Sequence, residues 1–253
     1  MQLLKIKLTG ALLALASLAA CTAPDVAVPD TAGIEGDAMR ASHNQDAAAE
    51  RRVRDWAMRG VPVAERELAL LYLRRPASRL EAARLFELAA RAGDAEAAFQ
   101  LGELRRSGIG AVAGVVAGVA PDPAGAWPYY RQAAAQRHPK AALTLALMAK
   151  NGNGVERDAR QAAKWLALAS ELGNPHAMFL LYNAYNEGLG VPRDAGMARK
   201  WLEESAEHEY PPALQELAMA LQAGAARTPG DELRAGHLLK EATEHRHNNW
   251  NRF

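Results

Sequence analysis

An internal repeat of 36 residues constrains the fold of this chain more than any other feature of its sequence. Trp165 and Trp201 stand one period apart, and so do Ala177 and Ala213. Other pairs at the same offset are Asp158 and Asp194, Leu181 and Leu217, Tyr129 and Trp165, Ala141 and Ala177, Gly152 and Gly188, and Gly154 and Gly190. So many matches in one register indicate a duplicated unit, and a unit of this length cannot bury its apolar face alone. The sequence therefore predicts a stack of similar units.

Each unit carries the signals of two helices joined by a tight turn. Asp158 is a good N-cap for a run of apolar residues at helical spacing. Gly173 can end that helix in the left-handed conformation, and an Asn-Pro pair then starts the next helix. The small side chain of Ala177 lets the two helices approach closely. We predict an all-α, right-handed solenoid of about five helix-turn-helix units and a closing helix over residues 48–247, followed by a C-terminal tail, 248–253.

The register of the repeat shifts once, before Asp122, where the chain carries an apparent insertion of eight residues. Upstream of the insertion, Leu85 and Ala89 keep the pattern of the unit. The segment Ala111 to Ala120 is almost wholly Ala, Val and Gly, which is unusual for a loop that only faces water. This segment is expected either to pack across the solenoid or to contact a partner.

Residues 1–20 have the composition of an export signal. Two lysines precede an apolar stretch, Leu8 to Ser17, which is shorter than the roughly 20 apolar residues of a membrane span. The chain then reads Leu18-Ala19-Ala20-Cys21, and Cys21 is its only cysteine. This segment resembles a bacterial lipoprotein signal, which implies cleavage before Cys21 and acyl chains attached there that anchor the protein to a membrane. The alternative is an ordinary cleaved signal followed by a coincidental cysteine.

The residues after the cysteine bear on where such a lipoprotein would reside. Thr22 occupies the position at which lipoproteins retained in the inner membrane carry an acidic residue. The resemblance therefore implies an outer-membrane lipoprotein that faces the periplasm. Residues 21–47 comprise the lipidated cysteine and a stretch that is rich in Ala, Pro, Asp, Thr and Gly and lacks a sustained periodicity. That composition predicts a flexible tether.

Two stretches that run from the second helix of a unit into the following turn carry a family resemblance. Residues 181–194 read LYNAYNEGLGVPRD, and residues 145–158 follow the same pattern. Both resemble the signature of Sel1-like repeats, which are related to tetratricopeptide repeats, and Trp165 and Trp201 stand at the family's first-helix aromatic position. The resemblance is strongest over residues 122–193. It implies an α-solenoid whose first helices, in successive units, line a concave surface that binds peptides or protein segments.

Side chains that lie off the buried stripe of those first helices are the candidates for this surface. We predict that a protein partner contacts Arg84, Glu87, Tyr130, Arg131, Lys164, Leu168, Lys200 and Glu203. Their mixed charges suit polar recognition of a protein chain rather than of a polyanion. For each of them, plain solvent exposure is the alternative.

Motifs for catalysis and cofactor binding are missing from the sequence. It contains no Gly-x-Ser-x-Gly, no Ser-x-x-Lys and no His-Glu-x-x-His. Gly108 and Gly110 fit a turn of the repeat better than a phosphate loop. His237, His245 and His247 fit a polar last helix better than a metal site. The sequence predicts no enzyme activity, no cofactor and no metal.

Charge balance bears on the choice of partner. The 30 Lys and Arg residues nearly match the 29 Asp and Glu residues, so there is no basic footprint for nucleic acid. Similar Sel1-like lipoproteins act as scaffolds in polysaccharide export and secretion, and the resemblance implies such a scaffold, bound to envelope proteins. One alternative is an enzyme acting on cell-wall material or β-lactams, although those relatives carry cysteine pairs that this chain lacks. The other is a soluble periplasmic regulator that binds a short peptide.

Overall fold

The structure is a computed structural model that describes residues 29–109, 118–223 and 228–248. Within these residues the regular elements are twelve α-helices and one short 3-10 helix, Pro76–Ser78. The α-helices are α1 (Thr31–His43), α2 (Ala47–Met58), α3 (Pro62–Leu73), α4 (Arg79–Arg91), α5 (Ala95–Ser107), α6 (Pro123–Ala135), α7 (Pro139–Asn151), α8 (Ala159–Glu171), α9 (Pro175–Glu187), α10 (Ala195–Glu207), α11 (Pro211–Ala223) and α12 (Pro229–Asn248). An isolated antiparallel bridge joins Ile109 to Val119. The predicted all-α fold is confirmed.

The positions at which the helices begin follow the period of the sequence. Helices α6, α8 and α10 begin at residues 123, 159 and 195, and α7, α9 and α11 begin at residues 139, 175 and 211. Each of these six helices has 13 residues. Helices α4 and α5 begin 44 residues before α6 and α7, so the insertion lies between α5 and α6. The helices therefore stack at the offset that the repeat predicts.

Local sequence signals place the ends of the helices. The Asp158 carboxylate accepts hydrogen bonds from the backbone N–H groups of Arg160 and Gln161, at 2.9 and 3.0 Å, and so caps α8. Gly173, two residues after α8 ends, has a φ of 83°, which glycine adopts without steric cost. At the same place in the neighbouring units, Arg137 and Glu209 adopt φ angles of 64° and 59°. The turn geometry is therefore kept even where the sequence lacks glycine.

Alanine is the most frequent residue among the buried side chains of the stack. Ala133 and Ala169 are fully buried, and so is Ser205, which occupies the equivalent place one unit later. The Ser205 hydroxyl donates a hydrogen bond of 2.8 Å to the carbonyl of Pro175, so its extra polar atom has a partner. Ala177 is likewise fully buried. Small side chains at these positions let the helices approach closely, and the apolar core runs through the stack.

The helices pack in a different phase from the one that the sequence analysis used. A unit that begins at the helix capped by Asp158, as predicted from the sequence, pairs α8 with α9. In the structure, each of α3, α5, α7, α9 and α11 packs more extensively against the helix after it than against the helix before it. The closely packed pairs are thus α3–α4, α5–α6, α7–α8, α9–α10 and α11–α12. A period alone does not fix where a repeat begins, since it can be divided at any point.

The prediction of a flexible tether over residues 21–47 is wrong for residues 31–43, which form α1. Ile34 and Ala38 are buried, and α1 packs against α2 and α3. Polar contacts hold the helix in place, because the Asp37 carboxylate accepts hydrogen bonds from Arg52 on α2 and the Glu35 carboxylate accepts one from Arg66 on α3. The stack therefore begins one helix before the predicted start of the solenoid.

Several predictions concern residues outside the part of the chain that the structure describes. These are the signal peptide of residues 1–20, Cys21, and all but Val119 and its two neighbours in the apolar insertion. Among the helices that are described, none is long and apolar enough to cross a membrane.

Candidate protein-interaction surface

The stack contains two sets of helices that differ in how much of their surface is open. Helices α8 and α10 each expose five residues along their length. Helices α7 and α9 expose three and two, close to their ends, and their other residues are buried or half-buried. We call α3, α5, α7, α9 and α11 the inner helices and α4, α6, α8 and α10 the outer helices. A partner that binds along the inner helices contacts partly covered side chains, which are better fixed in position than fully exposed ones.

The eight residues predicted to bind a partner all lie on outer helices. Arg84, Arg131, Lys164 and Lys200 are exposed, and Glu87, Leu168 and Glu203 are half-buried. As a binding set, these seven stay a prediction. Arg84 and Glu87 line one pocket of about 260 Å³ between α4 and α5. Its apolar lining consists of Leu80, Ala83, Leu101, Leu104, Ile109 and Val119.

The prediction for Tyr130 is wrong, because its side chain is fully buried. The Tyr130 hydroxyl donates a hydrogen bond of 2.7 Å to Glu103 and accepts one of 3.1 Å from Arg106, so it is held inside the stack. Burial, followed by the hydrogen bond to Glu103, raises the pKa of Tyr130. Its place in the repeat is that of Leu166 and Leu202, both of which are buried. Tyr130 therefore joins two helices and has no surface for a ligand.

A first cluster of half-buried rings lies where α5 meets the start of α7. The rings of Phe99 and His138 stack with centroids 4.6 Å apart and planes 22° apart. His138 Nδ1 accepts a hydrogen bond from the backbone N–H of Ala141, so in the neutral ring the proton lies on Nε2. Nε2 then donates to the Glu96 carboxylate at 3.0 Å. This hydrogen bond is the largest cause that keeps the pKa of Glu96 below its ordinary value.

A second ring cluster occupies the corresponding place where α9 meets the start of α11. The Tyr210 ring stacks on His176, with centroids 5.4 Å apart, and Phe179 packs against Tyr210 and Tyr182, each at 5.7 Å. The Tyr182 hydroxyl donates to Glu216 at 3.0 Å. Burial, more than this hydrogen bond, raises the pKa of Tyr182 to about 12. Burial lowers the pKa of His176, and the nearby charge of Lys150 lowers it further.

The two ring clusters give the inner helices a recurring aromatic face that also carries hydrogen-bonding groups. Phe99 and Phe179 occupy the same position of the repeat two units apart, so the clusters recur along one side of it. Aromatic rings next to charged and hydrogen-bonding groups are typical of surfaces that bind protein. This face was not predicted from the sequence, because the eight predicted residues lie on the other set of helices. The shared position of Phe99 and Phe179 was the signal available in the sequence.

In the described part of the chain, no group of three or more His, Cys, Asp or Glu side chains is arranged to hold a metal ion. Stacked helical hairpins with polar and aromatic side chains along one face define the class of α-solenoid repeat proteins.

Comparison with known families identifies which solenoid this is. The Sel1 repeat family matches the chain in five consecutive units, residues 62–94, 95–138, 139–174, 175–210 and 211–247. The chain belongs to the Sel1 repeat family, and its resemblance to Sel1-like repeats is confirmed. Each matched unit begins with an inner helix, in the same phase as the closely packed pairs. The first helices of the units are expected to line the binding surface. Since the matched units begin with inner helices, this expectation now applies to the inner helices and not to the outer ones.

Solved structures share the fold. A Sel1 repeat protein from Oxalobacter formigenes is 24% identical, with a TM-score of 0.70 over 88% of this chain and 91% of that protein. A protective antigen of uropathogenic Escherichia coli strains, with an SLR fold, is also 24% identical, with a TM-score of 0.67. That match covers 85% of this chain and only 46% of the antigen, so the chain spans less than half of its length. A comparison with curated proteins found no match.

Membership of the family gives the general role of the protein. Sel1 repeat proteins generally serve as scaffolds for protein–protein interaction, and their fold is typically non-catalytic. Protein–protein interaction is therefore the class of function that the fold supports.

Proposed function

We propose that this protein is a membrane-anchored scaffold that faces the periplasm and holds other envelope proteins together through the inner helices of its solenoid. We further propose that it serves the assembly of a trans-envelope complex for secretion or polysaccharide export. The single observation that carries the binding function is the recurrence of half-buried ring clusters on the inner helices of a Sel1 stack.

The geometry of the inner face supports binding of an extended protein segment. The side chains of Phe99 and His138 at one end, and of Phe179 and Tyr210 at the other, are fixed by contacts between an inner helix and the residue that precedes the next inner helix. Lys140 and Lys150 lie on α7 between the two clusters and are exposed. A surface whose side chains are already ordered loses little conformational entropy on binding, so more of the contact energy appears as affinity.

The proposed anchor rests on the sequence before the solenoid. The Leu18-Ala19-Ala20-Cys21 string resembles a lipoprotein signal, and Thr22 is compatible with transport to the outer membrane. Several acyl chains on one residue give stable membrane binding where one chain does not. The stack begins close behind, since the α1 N-cap is Asp30. The solenoid would therefore lie near the membrane surface rather than at the end of a long tether.

The anchor is tested by following the protein in a two-membrane bacterium. Cells that express the full chain are labelled with palmitate, and their membranes are separated by density. The wild type is expected to incorporate label and to sediment with the outer membrane. Cys21→Ala should lose the label and the membrane retention while keeping the helical circular dichroism spectrum. Retention of Cys21→Ala in the outer membrane would contradict the anchor.

The binding face is tested by site-specific crosslinking in the native membrane. A photoreactive amino acid is placed at Thr144 or Asn183, half-buried positions on the inner helices α7 and α9. Matched controls carry it at Arg131 and Lys164, exposed positions on the outer helices α6 and α8. We expect both inner positions to crosslink the same envelope protein, and the outer positions to give little of that adduct. Crosslinks from the outer positions alone would favour the earlier eight-residue prediction and contradict an inner binding face.

A further inference from the structure

A groove lies between α1 and α3, at the N-terminal end of the stack, and we call it the α1–α3 groove. Its volume is about 560 Å³, and its apolar lining consists of Ala38, Met39, Leu70, Leu71 and Leu73. Along α1 the groove extends from Glu35 to His43, a rise of about 12 Å, which is the length of about four residues of an extended chain. Helix α1 precedes the five matched units, so the groove is built partly from residues outside the repeats.

One end of the groove carries more acid than base. The carboxylates of Glu35 and Glu67 line this end, and both pair with Arg66, at 2.5 and 2.8 Å. Arg66 also pairs with Asp94 at 3.0 Å, and in the described part of the chain it is the only cation that these three carboxylates pair with. Asp94 has a second donor, because it accepts the backbone N–H of Ala97 at the start of α5. Glu35 and Glu67 therefore share one guanidinium, and at least one negative charge is left without a counterion.

Burial makes this excess charge costly. The side chains of Arg66 and Glu67 are only 14% and 15% exposed, so water screens them poorly. Burial, together with the charges of Glu35 and Asp94, outweighs the pairing with Arg66 and raises the pKa of Glu67. A further cation at this end of the groove would stabilise the ionised carboxylates.

The neighbouring cations of the same two helices are engaged or distant. Arg40 on α1 pairs with Asp37 on that helix. Arg74 borders the opposite end of the groove, seven residues beyond Glu67, or about 10 Å along the helix axis. The described carboxylates are not arranged to hold a metal ion. An ammonium or guanidinium group fits the site better, because it binds carboxylates through charge-assisted hydrogen bonds.

The rest of the groove suits the chain that would carry such a group. Met39 is 65% exposed at the rim, although it is a large apolar side chain. The Ser42 hydroxyl lines the groove, where its oxygen is buried and has no hydrogen-bond partner among the described residues. A protein segment supplies apolar side chains for the lining and backbone N–H and C=O groups for this hydroxyl.

We propose that the α1–α3 groove binds a segment of a partner protein in which a lysine or arginine stands beside apolar residues. The basic side chain lies between Glu35 and Glu67, and the apolar side chains lie along the groove. The residues that precede α1 in this chain do not fit, since residues 22–30 include Asp25 and Asp30 and contain no lysine or arginine. The inference rests on the proposed function, because α3 is one of the inner helices, and it names the kind of segment that this part of the face binds.

The first test uses the full chain carrying Cys21→Ser, so that no lipid can be attached, and an array of immobilised heptapeptides as the probe. Each peptide has Lys, Arg, Ser or Glu at its first or last position, next to four residues that are either apolar or all serine. We expect the protein to be retained by peptides that combine a basic residue with apolar ones. Equal retention by peptides that lack the basic residue or the apolar residues, or no retention by any peptide, would overturn the proposal.

The second test measures the affinity of the best-retained peptide in solution by fluorescence anisotropy. Glu35→Gln/Glu67→Gln removes both charges, while each amide oxygen can still accept a hydrogen bond from Arg66. We expect the affinity to fall at least about tenfold, with a melting temperature equal to or above that of the wild type. The matched control, Glu171→Gln/Glu207→Gln, removes two exposed charges from α8 and α10 and should bind like the wild type. Unchanged affinity in the first variant would contradict the site.

Other occupants of the groove give different results. If a second copy of the chain filled it, the wild type would self-associate and Glu35→Gln/Glu67→Gln would not, which would also overturn the proposal. The crosslinks from Thr144 and Asn183 report on α7 and α9 and do not depend on this groove. Failure of the peptide tests is therefore distinct from failure of the proposed function.

Discussion

Gly102 lies directly beneath the ring of Tyr130, so closely that a Cβ atom at Gly102 would be 2.7 Å from a ring carbon. The contact joins α5 to α6, one of the closely packed helix pairs, and the same ring is fixed by hydrogen bonds to Glu103 and Arg106. Because Tyr130 is fully buried, the ring has little room to move away. The absence of a side chain at Gly102 therefore sets the distance between the two helices.

Gly102→Ala is expected to destabilise the protein by about 1–3 kcal/mol. The steric cost of a methyl group against the Tyr130 ring exceeds the stabilisation that alanine gives through its higher helix propensity. The matched control is Gly236→Ala on α12, where a Cβ would meet no atom within 4 Å. This control should raise stability, by up to about 1 kcal/mol. Urea unfolding followed by circular dichroism measures both changes. Equal effects of the two substitutions on stability would show that the Tyr130 ring can move aside to make room for a methyl group at Gly102.

Arg137→Gly is expected to stabilise the protein by about 1 kcal/mol, because Arg137 holds a left-handed backbone with a φ of 64°. Glycine adopts this conformation freely, as Gly173 does one unit later with a φ of 83°. The reciprocal change, Gly173→Ala, leaves open space around the new methyl group and should destabilise through the backbone alone. Thermal unfolding of the two variants gives the comparison. A lower melting temperature for Arg137→Gly would mean that the arginine side chain contributes more than its backbone strain costs.

The repeat made most of the fold predictable, because each unit carries the same helix signals. A unit with clear signals therefore shows where the helices lie in a unit whose signals are weaker. The caps at Asp158 and Asn174 and the turn at Gly173 all occur where the sequence indicates them. Helix α1 was not predictable in the same way, because two of its 13 residues are glycine and only Ile34 and Met39 are large apolar residues. It is stabilised by contacts with α2 and α3, among them the pairing of Asp37 with Arg52, and such tertiary contacts leave no periodic pattern in the sequence.

The proposed binding face was less predictable than the fold, because the period of a repeat gives the spacing of its helices but not which set of helices is more enclosed. The choice of outer helices followed from beginning the unit at Asp158. Tyr130 was a separate error that the repeat itself could have prevented, since one period later stands Leu166. An aromatic residue in a leucine position is more simply explained as core, and its hydroxyl then needs the buried partner that Glu103 provides.

Glu96→Gln is expected to lower stability near neutral pH and to have a smaller effect in acid. The hydrogen bond from His138 holds the pKa of Glu96 below its ordinary value of 4.5. A carboxylate with a lowered pKa stabilises the fold above its unfolded pKa, and this contribution is lost as the pH falls through the folded pKa. Melting temperatures of wild type and variant should therefore converge as the pH falls through the lowered pKa of Glu96 in the folded protein. Glu81→Gln, at an exposed pair with Arg84 3.4 Å away, serves as control and should change little at either pH.

Ala177→Trp is expected to cost about 1–3 kcal/mol or more, because Ala177 is fully buried and an indole can fit only if helices separate. Its backbone N–H also donates the capping hydrogen bond to the Asn174 side-chain oxygen, so movement of the helix start would disturb the cap. The matched control is Ala195→Trp, which introduces the same side chain at an exposed position at the start of α10. Thermal unfolding of the pair separates overpacking from the propensity of tryptophan. If both variants melt like the wild type, the stacked alanines do not set the distance between helices, and the register assigned to the repeat is wrong.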